Sequence, residues 1–74
     1  MTVLERVKVE KLKVSLKECL LNYHTYYLSD FQKRWKKIPA VFVVQAAEEL
    51  QRENFLVIAA GHKGATMLRL KESV

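Results

Sequence analysis

Turn-forming residues are scarce in this chain, and their positions divide it into folding segments. The 74 residues include one proline, Pro39, and two glycines, Gly61 and Gly64. Proline disfavours helical geometry in the residue before it, and glycine readily adopts the left-handed backbone of tight turns. The sequence therefore predicts a break near residue 39 and a turn over 61–64, with regular structure elsewhere.

The N-terminal half carries apolar residues at helical spacing. They recur at i, i+4, i+7, i+8 and i+11, as Leu12, Leu16, Cys19, Leu20 and Tyr23. This spacing lines the core face of an α-helix and predicts a helix over 4–23. Its start is left open, because Thr2 with Glu5 and Ser15 with Glu18 both have the spacing of a capping box.

A second apolar face on this helix is formed by Val3, Val7, Val14 and Leu21. A 74-residue chain cannot easily bury two faces of one long helix in a single core. The second face therefore predicts a partner, most simply another copy of the chain related by a two-fold axis, with Val7, Val14 and Leu21 in the dimer interface. A short extended arm over 7–14 is the alternative to a helical first half.

A short strand and a second helix are predicted next. Residues 24–27, His-Thr-Tyr-Tyr, are rich in the aromatic and β-branched residues that favour strands. Ser29 and Gln32 have capping-box spacing and predict a helix over 30–37. The spacing of Phe31 and Trp35 places both on one face of it, so Trp35 is expected to pack in the core.

A third helix and a hairpin complete the pattern. A helix over 40–53 is predicted from an i, i+3, i+4, i+7 core face formed by Val43, Ala46, Ala47 and Leu50. Asn54 suits the left-handed residue that ends it. Two β-prone runs on either side of the 61–64 turn predict an antiparallel hairpin over 55–71.

Length, composition and charge limit the classes of protein to which this chain can belong. The length fits one domain over residues 1–74, and the 50% hydrophobic content argues against disorder. The net charge is +5, and residues 1–37 carry all of the excess, with nine of the 13 Lys and Arg and four of the eight Asp and Glu. Such asymmetry suits a polyanionic partner. The single cysteine, Cys19, cannot form an internal disulfide and is expected to be buried, which favours a reduced, cytoplasmic setting.

This order of elements resembles the winged-helix variant of the helix-turn-helix proteins. The residues that carry the resemblance are 27–31 at the second helix, 39–54 around the third, and 55–71 as the two strands of the wing, with 61–64 at its tip. The resemblance implies an α+β winged-helix fold with three helices and a C-terminal β-hairpin. It further implies that the third helix enters the major groove of DNA and that the hairpin tip touches an adjacent groove or the backbone.

Two groups of cations are the candidate nucleic-acid contacts. Lys33, Arg34, Lys36 and Lys37 are expected at the end of the second helix, where they could hold phosphates. His62 and Lys63 lie between two glycines at the hairpin tip, which could approach a sugar-phosphate backbone closely. These features predict a protein that binds nucleic acid, most favourably DNA, as a transcription or replication accessory factor in the cytoplasm, the nucleoid or the nucleus.

The third helix departs from a typical recognition helix. Opposite its core face it is expected to present Val41, Gln45, Glu48 and Arg52, flanked by Val44 and Glu49. Gln45 could read an adenine edge and Arg52 could bind DNA, but two outward carboxylates would repel phosphates. The exposed valines favour the alternative function, a protein-interaction module that uses apolar helix faces.

The sequence offers little for other classes of function. His24 and His62 are far apart, and the GHKG segment lacks the spacing of a phosphate-binding loop. One cysteine and two histidines are too few for a metal site. We therefore expect no enzymatic activity, no metal and no cofactor. No apolar run approaches the ~20 residues that span a bilayer, so no membrane association is expected.

Overall fold

The fold alternates helices with the strands of one small sheet. A computed structural model of the protein describes residues 2–71; of the predicted domain, residues 1 and 72–74 lie outside the described residues. The elements are α1 (Val3–Tyr23), β1 (Thr25–Tyr27), α2 (Leu28–Arg34), α3 (Ala40–Arg52), β2 (Leu56–Ala60) and β3 (Thr66–Leu70). Three helices and a three-stranded antiparallel sheet confirm the α+β class.

Helix α1 begins at the first of the two candidate capping boxes. The Thr2 hydroxyl accepts a hydrogen bond from the Glu5 backbone at 3.2 Å, and the Glu5 carboxylate accepts one from the Thr2 backbone at 3.1 Å. Because α1 is continuous from Val3, the extended arm over 7–14 is wrong. Val9 joins the predicted core face of the helix and is fully buried.

The end of α1 differs from the prediction at one residue. Tyr23 is expected in the core but is 63% exposed. The helix ends at this residue, and His24 takes a positive φ of 66° that turns the chain into β1. The Tyr23 ring therefore packs against Tyr26, with ring centroids 6.0 Å apart, instead of entering the core.

The sheet has β3 in the centre and β1 and β2 on its two sides. The hairpin partners include Ile58 with Leu68, and Tyr26 on β1 pairs with Leu68 from the other side. These pairings confirm the predicted antiparallel hairpin. Leu68 is fully buried, so this row of residues points into the core and the alternate row, which includes Arg69, forms the outer face.

Helix α2 is displaced from its predicted bounds of 30–37. It begins at Leu28, directly after β1, and no side chain caps it, so the Ser29–Gln32 capping box is wrong. It ends at Arg34, three residues early. Pro39 disfavours helical geometry in Ile38, and the Ile38 amide instead closes a turn on the Trp35 carbonyl at 2.9 Å.

The core lies between α1, α2, α3 and the inner face of the sheet. Phe31 is the largest fully buried side chain, and α3 contributes all four residues of its predicted core face. Asn54 follows α3 with a positive φ of 63°, as predicted. Cys19 is buried in this core, as predicted.

A buried carboxylate joins α1 to α3. Glu49 is predicted to face outward from α3 but is only 9% exposed, because it faces α1. Its oxygens accept two hydrogen bonds from the Arg6 guanidinium, both at 2.6 Å, and Lys13 lies 3.5 Å away. Lys13 is itself buried and also donates to Glu53. Hydrogen bonds from Arg6 lower the pKa of Glu49 from its ordinary value of 4.5 to about 2.

We predict that Glu49→Gln destabilises the fold by about 1–3 kcal/mol, because it leaves Lys13 buried with one carboxylate fewer. Glu49 has a lowered pKa in the folded state, so its stabilising effect is complete above about pH 4.5 and is lost as the pH falls towards 2. The stability of the parent chain should therefore fall as the pH drops from about 4.5 to 2, and the variant should lack the part of this fall that comes from Glu49. Thermal unfolding of both chains at several pH values measures the difference.

The control is Glu48→Gln on the same helix. Glu48 is half-exposed and lies 4.0 Å from a largely exposed Arg52. Its substitution should change stability by less than about 0.5 kcal/mol and leave the acid dependence intact. Equal effects of the two variants would show that the Glu49 ion pairs do not stabilise the packing of α1 on α3.

Candidate functional site

The densest group of exposed cations follows helix α2. Lys33 and Arg34 are the last two residues of the helix, while Lys36 and Lys37 lie in the turn that leads to α3. The prediction that all four end a helix is wrong, because the helix stops at Arg34. We call residues 33–37 the basic turn. All four cations in it are exposed, so they can reach an external partner.

Trp35 anchors the basic turn to the core. Its ring centroid lies 6.4 Å from that of the buried Phe31, and Phe31 in turn meets Tyr26 edge-on at 6.3 Å. Trp35 is half-buried and packs against the core, as expected from its spacing with Phe31. The backbone that carries the four cations is therefore fixed at its centre.

A shallow cavity opens beside this anchor. It has a volume of about 330 Å³ and is lined by Arg34, Trp35, Lys36, Lys37 and Ile38. The indole Nε1 of Trp35 is buried and has no hydrogen-bond partner among the described residues. Cations thus surround an apolar floor, an arrangement that can hold an anionic group attached to an apolar or aromatic one.

The cations of the basic turn have no acidic partner within the described chain. The ion pairs of residues 2–71 use the carboxylates of Glu10, Glu49 and Glu53 for cations of α1, and that of Glu48 for Arg52. Arg34 makes only a weak polar contact, from Nη1 to the Cys19 sulfur at 3.4 Å. Within residues 2–71, the positive charge of the turn is therefore not paired with any carboxylate.

The hairpin tip is a second exposed cationic group. His62 and Lys63 lie in a short 3-10 turn, and Lys63 adopts a positive φ of 57° before Gly64 at 78°. Gly61 lies close to the ring of Tyr27. A Cβ atom at position 61 would be only 2.7 Å from a carbon of this ring.

The tip and the basic turn are not one patch. The contact of Gly61 with Tyr27 places the tip beside the start of α2, whereas the basic turn begins at Lys33, near the end of the helix. Five helical residues, 28–32, lie between Tyr27 and Lys33, which is a length of roughly 8 Å.

The outer face of α3 is less acidic than predicted. Glu49 faces α1, which leaves Glu48 as the exposed carboxylate, opposite an exposed Arg52. Gln45 donates its amide to Glu49 at 3.1 Å, so this donor is already occupied. Val41 is exposed as predicted, and Val44 is half-buried. Of the two predicted DNA-contacting residues of α3, Arg52 is the more accessible.

Sequence reasoning missed two further features. Lys13 falls within the apolar core face of α1, at four residues from Val9 and three from Leu16, and this position was a signal of a buried cation. Arg69 lies on the outer face of the sheet beside Val57, in the row that alternates with the buried Leu68. The alternation of β3 was the signal that could have added Arg69 to the cationic surface.

The described residues hold no helix that is long and apolar enough to cross a membrane. Comparisons of the chain with models of protein families, with curated proteins and with solved structures found no match.

Trp35 is the only tryptophan of the chain, so its fluorescence reports on the basic turn. We predict that a DNA oligonucleotide changes the Trp35 emission, because a ligand on the cations would cover the cavity that Trp35 lines. A fluorescence titration at low salt measures this, with inorganic phosphate as the control. Binding seen by gel shift without any change in emission would place the DNA away from the basic turn.

Proposed function

We propose that this chain is a winged-helix domain that binds nucleic acid, most favourably DNA, through the basic turn, as an accessory factor in transcription or replication. The observation that carries the proposal is the group of four exposed cations at 33–37, held by Trp35 and uncompensated by any carboxylate within the described residues. Such a group attracts a polyanion, because neutralising phosphates releases their condensed counterions.

The arrangement of the elements supports the winged-helix part of the proposal. Helices α2 and α3 are joined by a short turn, and the hairpin of β2 and β3 follows α3 directly. With β3 between β1 and β2, the sheet contacts both helices, and residues 62–64 lie in the connection between β2 and β3. The resemblance then makes α3 the helix that approaches a groove and the tip a contact to the backbone.

The proposed mode of binding is dominated by phosphate contacts. The basic turn leads directly into α3, so its lysines lie near the positive end of that helix's dipole, which adds to the attraction for phosphate. Few side chains of α3 are free to recognise bases, because the Gln45 amide already donates to Glu49. The Glu48 carboxylate also repels the phosphates of a nucleic acid. Affinity should therefore depend strongly on salt and weakly on sequence.

The test replaces Lys33, Arg34, Lys36 and Lys37 together with alanine. At ~50 mM salt we expect the affinity for a DNA oligonucleotide to fall at least roughly tenfold, and the slope of log affinity against log salt to flatten by roughly 0.9 for each phosphate that the variant no longer neutralises. Electrophoretic titrations with duplex DNA, single-stranded DNA and RNA also decide which form binds best.

Two single variants test whether the loss of affinity comes from the basic turn. Lys37→Ala removes one charge from the basic turn, and Lys8→Ala removes one from α1, where Lys8 makes no ion pair with a described residue. Only Lys37→Ala should weaken binding beyond the general effect of net charge. A parent chain that shifts none of the three nucleic acids at ~50 mM salt would contradict the proposal and leave protein binding as the function.

A further inference from the structure

Helix α1 presents a row of apolar side chains to solvent. Val3, Val7, Val14 and Leu21 are 83%, 43%, 58% and 61% exposed. Val7, Val14 and Leu21 are each seven residues apart, and a spacing of seven drifts by only about 20° around a helix. The face therefore runs straight along α1 as a stripe, on a surface that the domain's own core does not use.

The stripe contains an open, shallow groove. This cavity of about 500 Å³ is lined by residues of α1 only, namely Val3, Arg6, Val7, Glu10, Lys11 and Val14. Their spacing of i, i+3, i+4 and i+7 is that of the holes into which side chains insert when helices pack as coiled coils. One wall is held in place, because Arg6 is bound to both Glu10 and Glu49.

The charges within the stripe identify what fits it. Lys11 and Glu18 interrupt the apolar residues, and neither forms an ion pair with a described residue. A second α1 that runs antiparallel, with the two-fold axis at Val14, places Val7 opposite Leu21. The same axis brings Lys11 to within one residue of Glu18 of the second copy. A parallel pair would instead put Lys11 and Glu18 of the second copy on the opposite side of the interface, so no Lys11–Glu18 pair would form.

We propose that the occupant of this stripe is a second copy of the chain, packed antiparallel along α1 across a two-fold axis at Val14. The two copies exchange the same contacts, as two-fold symmetry requires, so each dimer contains two Lys11–Glu18 pairs and two insertions of Leu21 beside Val7. This proposal rests on the outer face of α1 and is independent of the proposed nucleic-acid function. One pair of helices is a small interface, which fits a reversible dimer at micromolar concentration.

The decisive experiment reverses the two charges. Lys11→Glu alone and Glu18→Lys alone each replace two attractive contacts by two repulsive ones, and each should weaken dimerisation roughly tenfold. The double variant restores both pairs and should dimerise like the parent chain. An equimolar mixture of the two single variants should also dimerise, because each then supplies the charge that the other lacks. Sedimentation equilibrium without DNA measures the mass of all five samples.

An apolar substitution tests the centre of the interface. Val14→Lys places two lysines together at the axis and should yield monomers, whereas Val57→Lys, at an exposed valine on the outer face of the sheet, should leave the dimer unchanged. Circular dichroism checks that both variants stay folded, as expected for exposed positions. A parent chain that is monomeric at every concentration, or single charge variants that dimerise as well as the parent, would overturn the proposal.

Discussion

The carboxylate of Glu49 lies between two cations of α1, and this contact fixes how the two longest helices pack. Helix α1 has apolar residues on two faces, and the face that the spacing of Leu12, Leu16 and Leu20 predicts is the one that turns inward. Arg6 and Lys13 reach Glu49 only when Val9, Leu12 and Leu16 face α3 and the sheet. Because a buried charge without a partner is costly, the alternative rotation of α1 would be heavily disfavoured. The ion pairs thus reinforce the packing that the apolar spacing of α1 already favours.

The orientation of α1 determines which of its residues are exposed to a partner. Once α1 is oriented by Glu49, the Val7–Val14–Leu21 stripe faces solvent and becomes available to a partner. The same ion pairs consume the carboxylates of Glu10, Glu49 and Glu53 within the fold. Among residues 2–71, the cations of the basic turn form no ion pair. The exposed apolar stripe is thus a consequence of how α1 packs on α3.

The position of the basic turn depends on Pro39, which opposes the extension of α2 towards residue 38. Residues 33–37 are good helix formers, and a chain without the proline would be free to extend α2 through them. Proline disfavours this, and the insertion of Trp35 beside Phe31 fixes where the turn lies. The result is a short, anchored connection whose four cations are all exposed.

Local patterns in the sequence were sufficient to predict the elements and most of the core. The i, i+3, i+4, i+7 spacing of α3, the capping box at Thr2, the left-handed Asn54 and the antiparallel hairpin all follow from interactions between residues close in the chain. The sequence could not determine the bounds of α2, because the helix begins at Leu28 without a capping side chain and ends where Trp35 packs against Phe31. It also could not determine that Glu49 faces inward or that Tyr23 faces outward. Those outcomes depend on which residues of α1 and α3 meet. Helical spacing gives the angle of a side chain around the axis of its helix, but it does not give the position of the neighbouring helix.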